Sequence, residues 1–147
     1  VIPFKKEKLV VVCSPDHPWG SRKSAALKEL DFQKFIGFAP DIPTRRSIDG
    51  ILNKAKVHVD IIHEFDNIET LKRTVEVGTG ISILPENTVA QEVRNKTLIK
   101  IELADGPFYR PTGIIYRDKK PISRAAQAFM DWLSVKNPVS ASPRQSQ

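Results

Sequence analysis

Apolar positions along this chain follow two rhythms. Short unbroken runs mark strands, and recurrences at three and four residues mark helices. Leu9-Val-Val-Val-Cys13 is continuously apolar, which predicts a strand buried on both faces. Ser14-Pro15-Asp16-His17-Pro18 ends it, because two prolines in four residues forbid regular pairing. A helical turn is predicted at Ala26–Leu30, and a strand at Phe35–Phe38 that stops before Pro40 and Pro43. Thr44 reads as the N-cap of a helix whose apolar face is Ile48, Ile51, Leu52 and Ala55. Val57–Phe65 reads as a strand. Asn67 is the expected cap of the next helix, with Glu69 in its first turn. Ile68, Leu71 and Val75 face inward there, and Gly78 is the stop. Ile81–Leu84 is a buried strand closed by Pro85, which also opens a short helix through Val93. Strands follow at Thr97–Leu103 and Thr112–Tyr116, on either side of an Asp105-Gly106-Pro107 turn. The helical period returns from Pro121 to Leu133. From Lys136 onward periodicity ends, and 136–147 is expected to be a disordered tail.

Strands and helices alternate from 35 to 101, the mark of βαβ units and an α/β fold with a largely parallel sheet. In such sheets ligands sit beyond the C-terminal strand ends. That singles out three loops: Ala39–Arg46, Glu64–Asn67 and Leu84–Asn87.

Composition narrows the classes. A chain of 147 residues that is 40% hydrophobic and 27% charged holds one ordinary domain or two small lobes and is not disordered throughout. One cysteine, Cys13, excludes an intrachain disulfide and a cysteine-based zinc site. No run of about 18 apolar residues is present, so no membrane helix is expected. The opening Val1-Ile2-Pro3-Phe4-Lys5 has neither Met nor a signal-peptide layout, and reads as a cut inside a longer chain. The net charge of +6 sits mostly at the ends, since residues 9–135 hold 18 basic and 16 acidic side chains. Direct nucleic-acid binding by this segment is therefore not expected.

No catalytic constellation stands out. His17, His58 and His63 form no metal-binding pattern, and Gly78-Thr79-Gly80 is a helix stop and turn rather than a phosphate loop. Ser14, Ser47 and Ser82 lie in no nucleophile elbow. Glu64 and Asp66 read as solvated strand-end carboxylates, and Cys13 as a packing residue. Neither an enzyme, a metal site nor a cofactor is expected. Pro43-Thr44-Arg45-Arg46-Ser47 is different. A helix N-terminus with two hydroxyls and a guanidinium suits a small anion, although an ordinary capped helix with solvated arginines would look the same.

The order of motifs resembles the effector-binding domain of LysR-type transcriptional regulators. The residues that carry the likeness are Leu9-Val-Val-Val, His17-Pro18-Trp19, Phe35-Ile36, Arg45-Arg46-Ser47-Ile48-Asp49 and Glu64 through Lys72. It is clearest at Val75-Glu76-Val77-Gly78-Thr79-Gly80-Ile81-Ser82-Ile83-Leu84-Pro85, and it continues through Arg110–Arg117 to the helix at Phe129. The resemblance implies a periplasmic-binding-protein-like lobe with a mixed, mainly parallel sheet flanked by helices. It implies that 1–14 end a first lobe and make the first crossover (Val11–Ser14), and that 15–113 form the second lobe. Residues 114–135 would be the return crossover (Ile114–Tyr116) and closing helix. It also implies a cytoplasmic, homo-oligomeric regulator that touches DNA only through an N-terminal winged helix-turn-helix outside this sequence. A small anionic effector would sit between the lobes, against Pro43, Thr44, Arg45, Phe65, Asp66 and Asn67, with Ile83, Leu84 and Pro85 as backbone and apolar wall. The apolar face Ile122, Phe129, Trp132 and Leu133 would lack most of its first-lobe cover, so copies are expected to associate. The alternative with the same lobe architecture is the solute-binding protein of a transporter.

Overall fold

The run Leu9–Cys13 lies inside a longer strand, β1 (Ile2–Cys13), and all five of its side chains are buried. The computed structural model describes residues 2–114 and 122–136. The chain divides into two compact units, Lys8–Arg110 and Val1–Glu7 with Pro111–Gln147.

After β1 the Lys8–Arg110 unit runs through β2 (Ser24–Ala25), a 3-10 turn (Leu27–Leu30) and β3 (Lys34–Phe38) to α1 (Pro43–Lys54) and β4 (Asp60–Phe65). There follow α2 (Ile68–Glu76), β5 (Ser82–Pro85), a 3-10 turn (Glu86–Val89), α3 (Ala90–Arg94), β6 (Ile99–Leu103) and the start of β7 (Phe108–Ile114). β1 pairs antiparallel with β5 on one side and β6 on the other, Val11 facing Ile83 and Ile101. β2 pairs parallel with β6, and β3 parallel with β4. A parallel bridge between Phe35 and Ile81, with Ile36 N–H to the Ile81 carbonyl at 2.8 Å, joins the two sets. The order across the unit is therefore β4-β3-β5-β1-β6-β2. β1 runs one way and the other five the opposite way, the mixed, mainly parallel sheet expected. The bridge depends on Gly80, where a Cβ would lie 2.6 Å from the Lys34 carbonyl oxygen. Ile48 and Leu52 of α1 and Leu71 and Val75 of α2 are buried in the same core as Leu9–Cys13.

Several boundaries differ from the sequence reading. Helix α1 starts at Pro43, which takes the first helical position, where its missing N–H costs nothing. Ile42 is the N-cap, without a side-chain bond, and Thr44 lies inside the helix rather than capping it. β4 starts at Asp60, not Val57, because the end of α1 uses the intervening residues. Lys56 is left-handed (φ 55°), and Val57 N–H bonds back to Leu52 O at 2.9 Å. β6 likewise starts at Ile99, since Thr97 N–H closes α3 onto Glu92 O at 3.0 Å. Asn67 caps α2 as read, its Oδ1 accepting from Glu69 N–H (2.8 Å) and Thr70 N–H (3.3 Å). Gly78 ends that helix with φ 93°, a conformation glycine adopts freely.

Phe32 lies in the left-handed region (φ 61°), fixed by its N–H bond to His58 O at 2.7 Å. A residue with a Cβ gives up about 1–2 kcal/mol there.

In the other unit, α4 (Arg124–Lys136) starts three residues later than the period predicted. Met130 is buried, whereas Ile122, Phe129 and Trp132 are exposed, and the last two rings stack at 6.2 Å. Residues 115–116 of the expected return crossover, and 137–147 of the expected tail, lie outside the described residues.

Candidate functional site

Parallel strands bring the loops after β3 and β4 to one end of the sheet. The Ala39 N–H donates to the Phe65 carbonyl at 2.8 Å, stitching the two loops together. Pro43 is exposed at the head of α1, and Thr44 behind it is only 3% exposed.

Arg45 is the hub of this corner. Its Nε–H donates to both carboxylate oxygens of Asp49 (3.0 Å each), one helical turn on. Its Nη1 donates to the Phe38 carbonyl at 2.7 Å and to Glu64 Oε2 at 3.2 Å. The side chain is 13% exposed. It thus ties the first turn of α1 to the C-terminal ends of β3 and β4, and its donors point into the protein's own acceptors.

A second guanidinium stands where the sequence reading had none. Arg110 of β7 donates through Nη1 to the Thr44 hydroxyl. No local pattern marks Arg110, because it comes 66 residues after its partner. The first turn of α1 holds no acidic residue, whereas α2 carries Glu69 in the same place. The positive helix end at Thr44 therefore lacks an intrahelical counter-charge.

The remaining site residues fall into two groups. Asp66 is exposed and Phe65 half-buried, and Asn67 spends its carbonyl oxygen on the α2 cap. Ile83, Leu84 and Pro85 are buried and pair with Val11, Val10 and Leu9. Their side chains belong to the core. Beyond them the Pro85 carbonyl accepts from the Thr88 hydroxyl at 2.7 Å.

Other reactive groups have structural surroundings. Burial pushes the Cys13 thiol up to about 11, well outside the range of a reactive thiolate. His17 Nδ1 accepts from Trp19 N–H at 3.0 Å, and burial lowers its pKa. Lys72, 7% exposed, donates to Glu92 Oε1 (2.7 Å) and the Thr88 carbonyl (3.0 Å) and pairs with Glu69 (3.0 Å). Among the described residues no group of His, Cys, Asp and Glu is arranged to hold a metal ion. No described helix is long and apolar enough to cross a membrane.

Comparison with known proteins gives this geometry a context. The LysR substrate binding domain family matches residues 1–136. The HTH-type transcriptional activator CmpR of Synechocystis sp. is 29% identical over 130 residues, 88% of this chain and 43% of that protein. The RuBisCO operon transcriptional regulator of Allochromatium vinosum is 25% identical over the same shares. The chain spans less than half the length of these relatives, which are regulators rather than enzymes. Among solved structures, the Synechocystis CcmR regulatory domain in complex with 2-PG superposes with a TM-score of 0.78 at 24% identity, covering 95% of this chain and 67% of that one. The effector-binding domain of QuiR in complex with shikimate gives 0.82 at 22%, covering 92% and 64%. These likenesses show the fold, and the match over 1–136 shows the family. With its mixed sheet, its paired strand-end loops and this match, the chain belongs to the LysR substrate-binding domain family of transcriptional regulators.

Proposed function

We propose that this chain binds a small anionic metabolite at the strand-end loops of the Lys8–Arg110 unit. In a longer, cytoplasmic, homo-oligomeric regulator, effector binding there would shift the population of states that set DNA binding by an N-terminal winged helix-turn-helix. The observation that carries the reading is the head of α1. A buried hydroxyl, Thr44, and a guanidinium, Arg110, meet at a helix N-terminus whose first turn has no carboxylate. Backbone N–H groups, helix dipole and guanidinium together favour a carboxylate or phosphate. The ligands of two structural neighbours, 2-phosphoglycolate and shikimate, both carry a carboxylate.

The contact residues on this reading are Pro43, Thr44 and Arg110, with Phe65, Asp66 and Asn67 at the rim. Arg45 acts one step back, holding the loop in place through Asp49, Glu64 and Phe38. Ile83, Leu84 and Pro85 form the rigid floor beneath. The transporter alternative loses its support, because the family match is to regulators.

Calorimetric titration of the full-length regulator with a panel of small carboxylates and phosphate esters tests this. Arg110→Gln and Thr44→Val should each weaken the best ligand by about 1–3 kcal/mol, with thermal stability retained. If neither substitution changes affinity, the head of α1 is not the site.

A further inference from the structure

At the end of the sheet opposite the effector loops, the structure keeps an aromatic ring in water under strain. Phe32 is 79% exposed and held left-handed by its bond to His58 O. Glycine or asparagine would suit that backbone better, and the ring buries almost nothing in return. Neither packing nor local conformation explains a phenylalanine there.

Its surroundings are mostly basic, three lysines to one aspartate. The neighbouring groove, ≈ 510 Å³, is lined by Lys28, Asp31, Lys54, Ala55, Lys56 and Val57. Asp31 is engaged, its Oδ1 accepting from His58 N–H at 2.8 Å. Lys28, Lys54 and Lys56 are exposed, and none of them is ion-paired among the described residues. Lys54 and Lys56 also sit at the negative end of α1, which favours them there but leaves their ammonium groups in solvent. The unit as a whole is close to neutral, with 15 basic and 14 acidic residues between 8 and 110. This is a local basic groove with one apolar anchor beside it, not a broad positive surface of the kind that tracks a nucleic-acid backbone.

We propose that Phe32 and the Lys28–Lys54–Lys56 groove dock an acidic protein segment, which covers the ring while its carboxylates meet the three lysines. The juxtaposition is complementary to such a segment in charge and in its single aromatic anchor.

The test is fluorescence anisotropy of the full chain with a fluorescein-labelled peptide of sequence Glu-Glu-Leu-Glu-Glu-Leu-Glu-Glu. Saturable binding that weakens with added salt is expected. Phe32→Gly should cut affinity at least about tenfold, a loss on the scale of an interface hot spot. The same change should raise Tm by a few degrees, because it relieves strain. Phe32→Asn, which also tolerates the left-handed region, should behave alike. Lys28→Glu with Lys54→Glu should abolish binding, with Tm lowered by no more than the few degrees that reversing a charge at the C-terminus of α1 costs. Absence of saturable binding, unchanged affinity in Phe32→Gly and Phe32→Asn, or tighter binding of an oligo-dT strand than of the peptide would each overturn the proposal.

Discussion

Replacing Lys72 with methionine removes the ammonium that joins α2 to α3 and the turn before it. The methionine matches the lysine stem in volume, so packing changes little and the effect reports the charge. Three partners lose their donor: Glu92, Glu69 and the Thr88 carbonyl. Glu69 is exposed and water replaces the lysine there, so its share is under about 1 kcal/mol. Glu92 is 15% exposed, and its Oε2 is already buried without a hydrogen bond. Removing Lys72 strands a carboxylate in that setting. Breaking one side of a buried pair costs about 3–5 kcal/mol. Residual solvent access at Glu92 brings the expectation to about 2–4 kcal/mol, read from urea unfolding followed by far-UV circular dichroism. The double variant Lys72→Met with Glu92→Gln removes the stranded charge and should recover at least about 1 kcal/mol of that loss. The pH profile provides a second check. Lys72 holds Glu92 below the usual carboxylate range. The pair's contribution is therefore present above about pH 4.3, the unfolded value, and is lost as pH falls through the lower folded value. Burial alone would depress the Lys72 pKa, but Glu92 and Glu69 outweigh it and raise it. Its contribution is thus full below about pH 10.4 and fades as pH rises through the higher folded value. A single-variant loss under about 1 kcal/mol, or a double variant no more stable than the single, would refute this account.

Gly50 stands in the middle of α1, with nothing within 4 Å of where a Cβ would be. Gly50→Ala should stabilise the fold by about 0.5–1 kcal/mol, seen as a higher Tm, and an unchanged or lower Tm would count against it. Gly80→Ala should do the reverse. Its Cβ meets a backbone carbonyl that cannot swing aside, so the bridge between Phe35 and Ile81 must open, and hydrogen exchange at Ile36 and Ile81 should accelerate. Iodoacetamide should label Cys13 at pH 8 only as fast as the protein unfolds, because the thiol is buried and stays protonated. Labelling at the rate of a free thiol would contradict the packing described.

Most of the fold was legible because the sequence states it locally. The unbroken run at 9–13, the i, i+3, i+4 face of α1, the Asn67 cap and the Gly78 stop each encode their element within a few residues. The boundaries that moved are those where a helix end borrows the following residues, as Val57 and Thr97 show. Pro43 outcompeted Thr44 at the head of α1 because a fixed φ fits the first helical position better than a hydroxyl there. The candidate site was half legible. Strand-end logic found the loops after β3 and β4, but it assigned Arg45 an outward role. Three internal acceptors, one of them 19 residues away on Glu64, claim that side chain instead. Arg110 was invisible to any window, since its partner lies in a distant segment. Ile83 to Pro85 share the same strand-end address, yet pairing with β1 turns them into core.

The position of β1 at the centre of the sheet bears on how the chain is made. Its neighbours are residues 82–85 and 99–101, the second set lying near the C-terminal end of the unit. During synthesis the segment Leu9–Cys13 leaves the ribosome before either of its partner strands, five apolar residues with no charge among them. It cannot be paired on both edges until Ile99 and Ile101 have emerged. Until then it is an open, sticky ribbon. Such long-range pairing also slows folding, and the strand that anchors the finished sheet is the one most in need of a chaperone before the sheet exists.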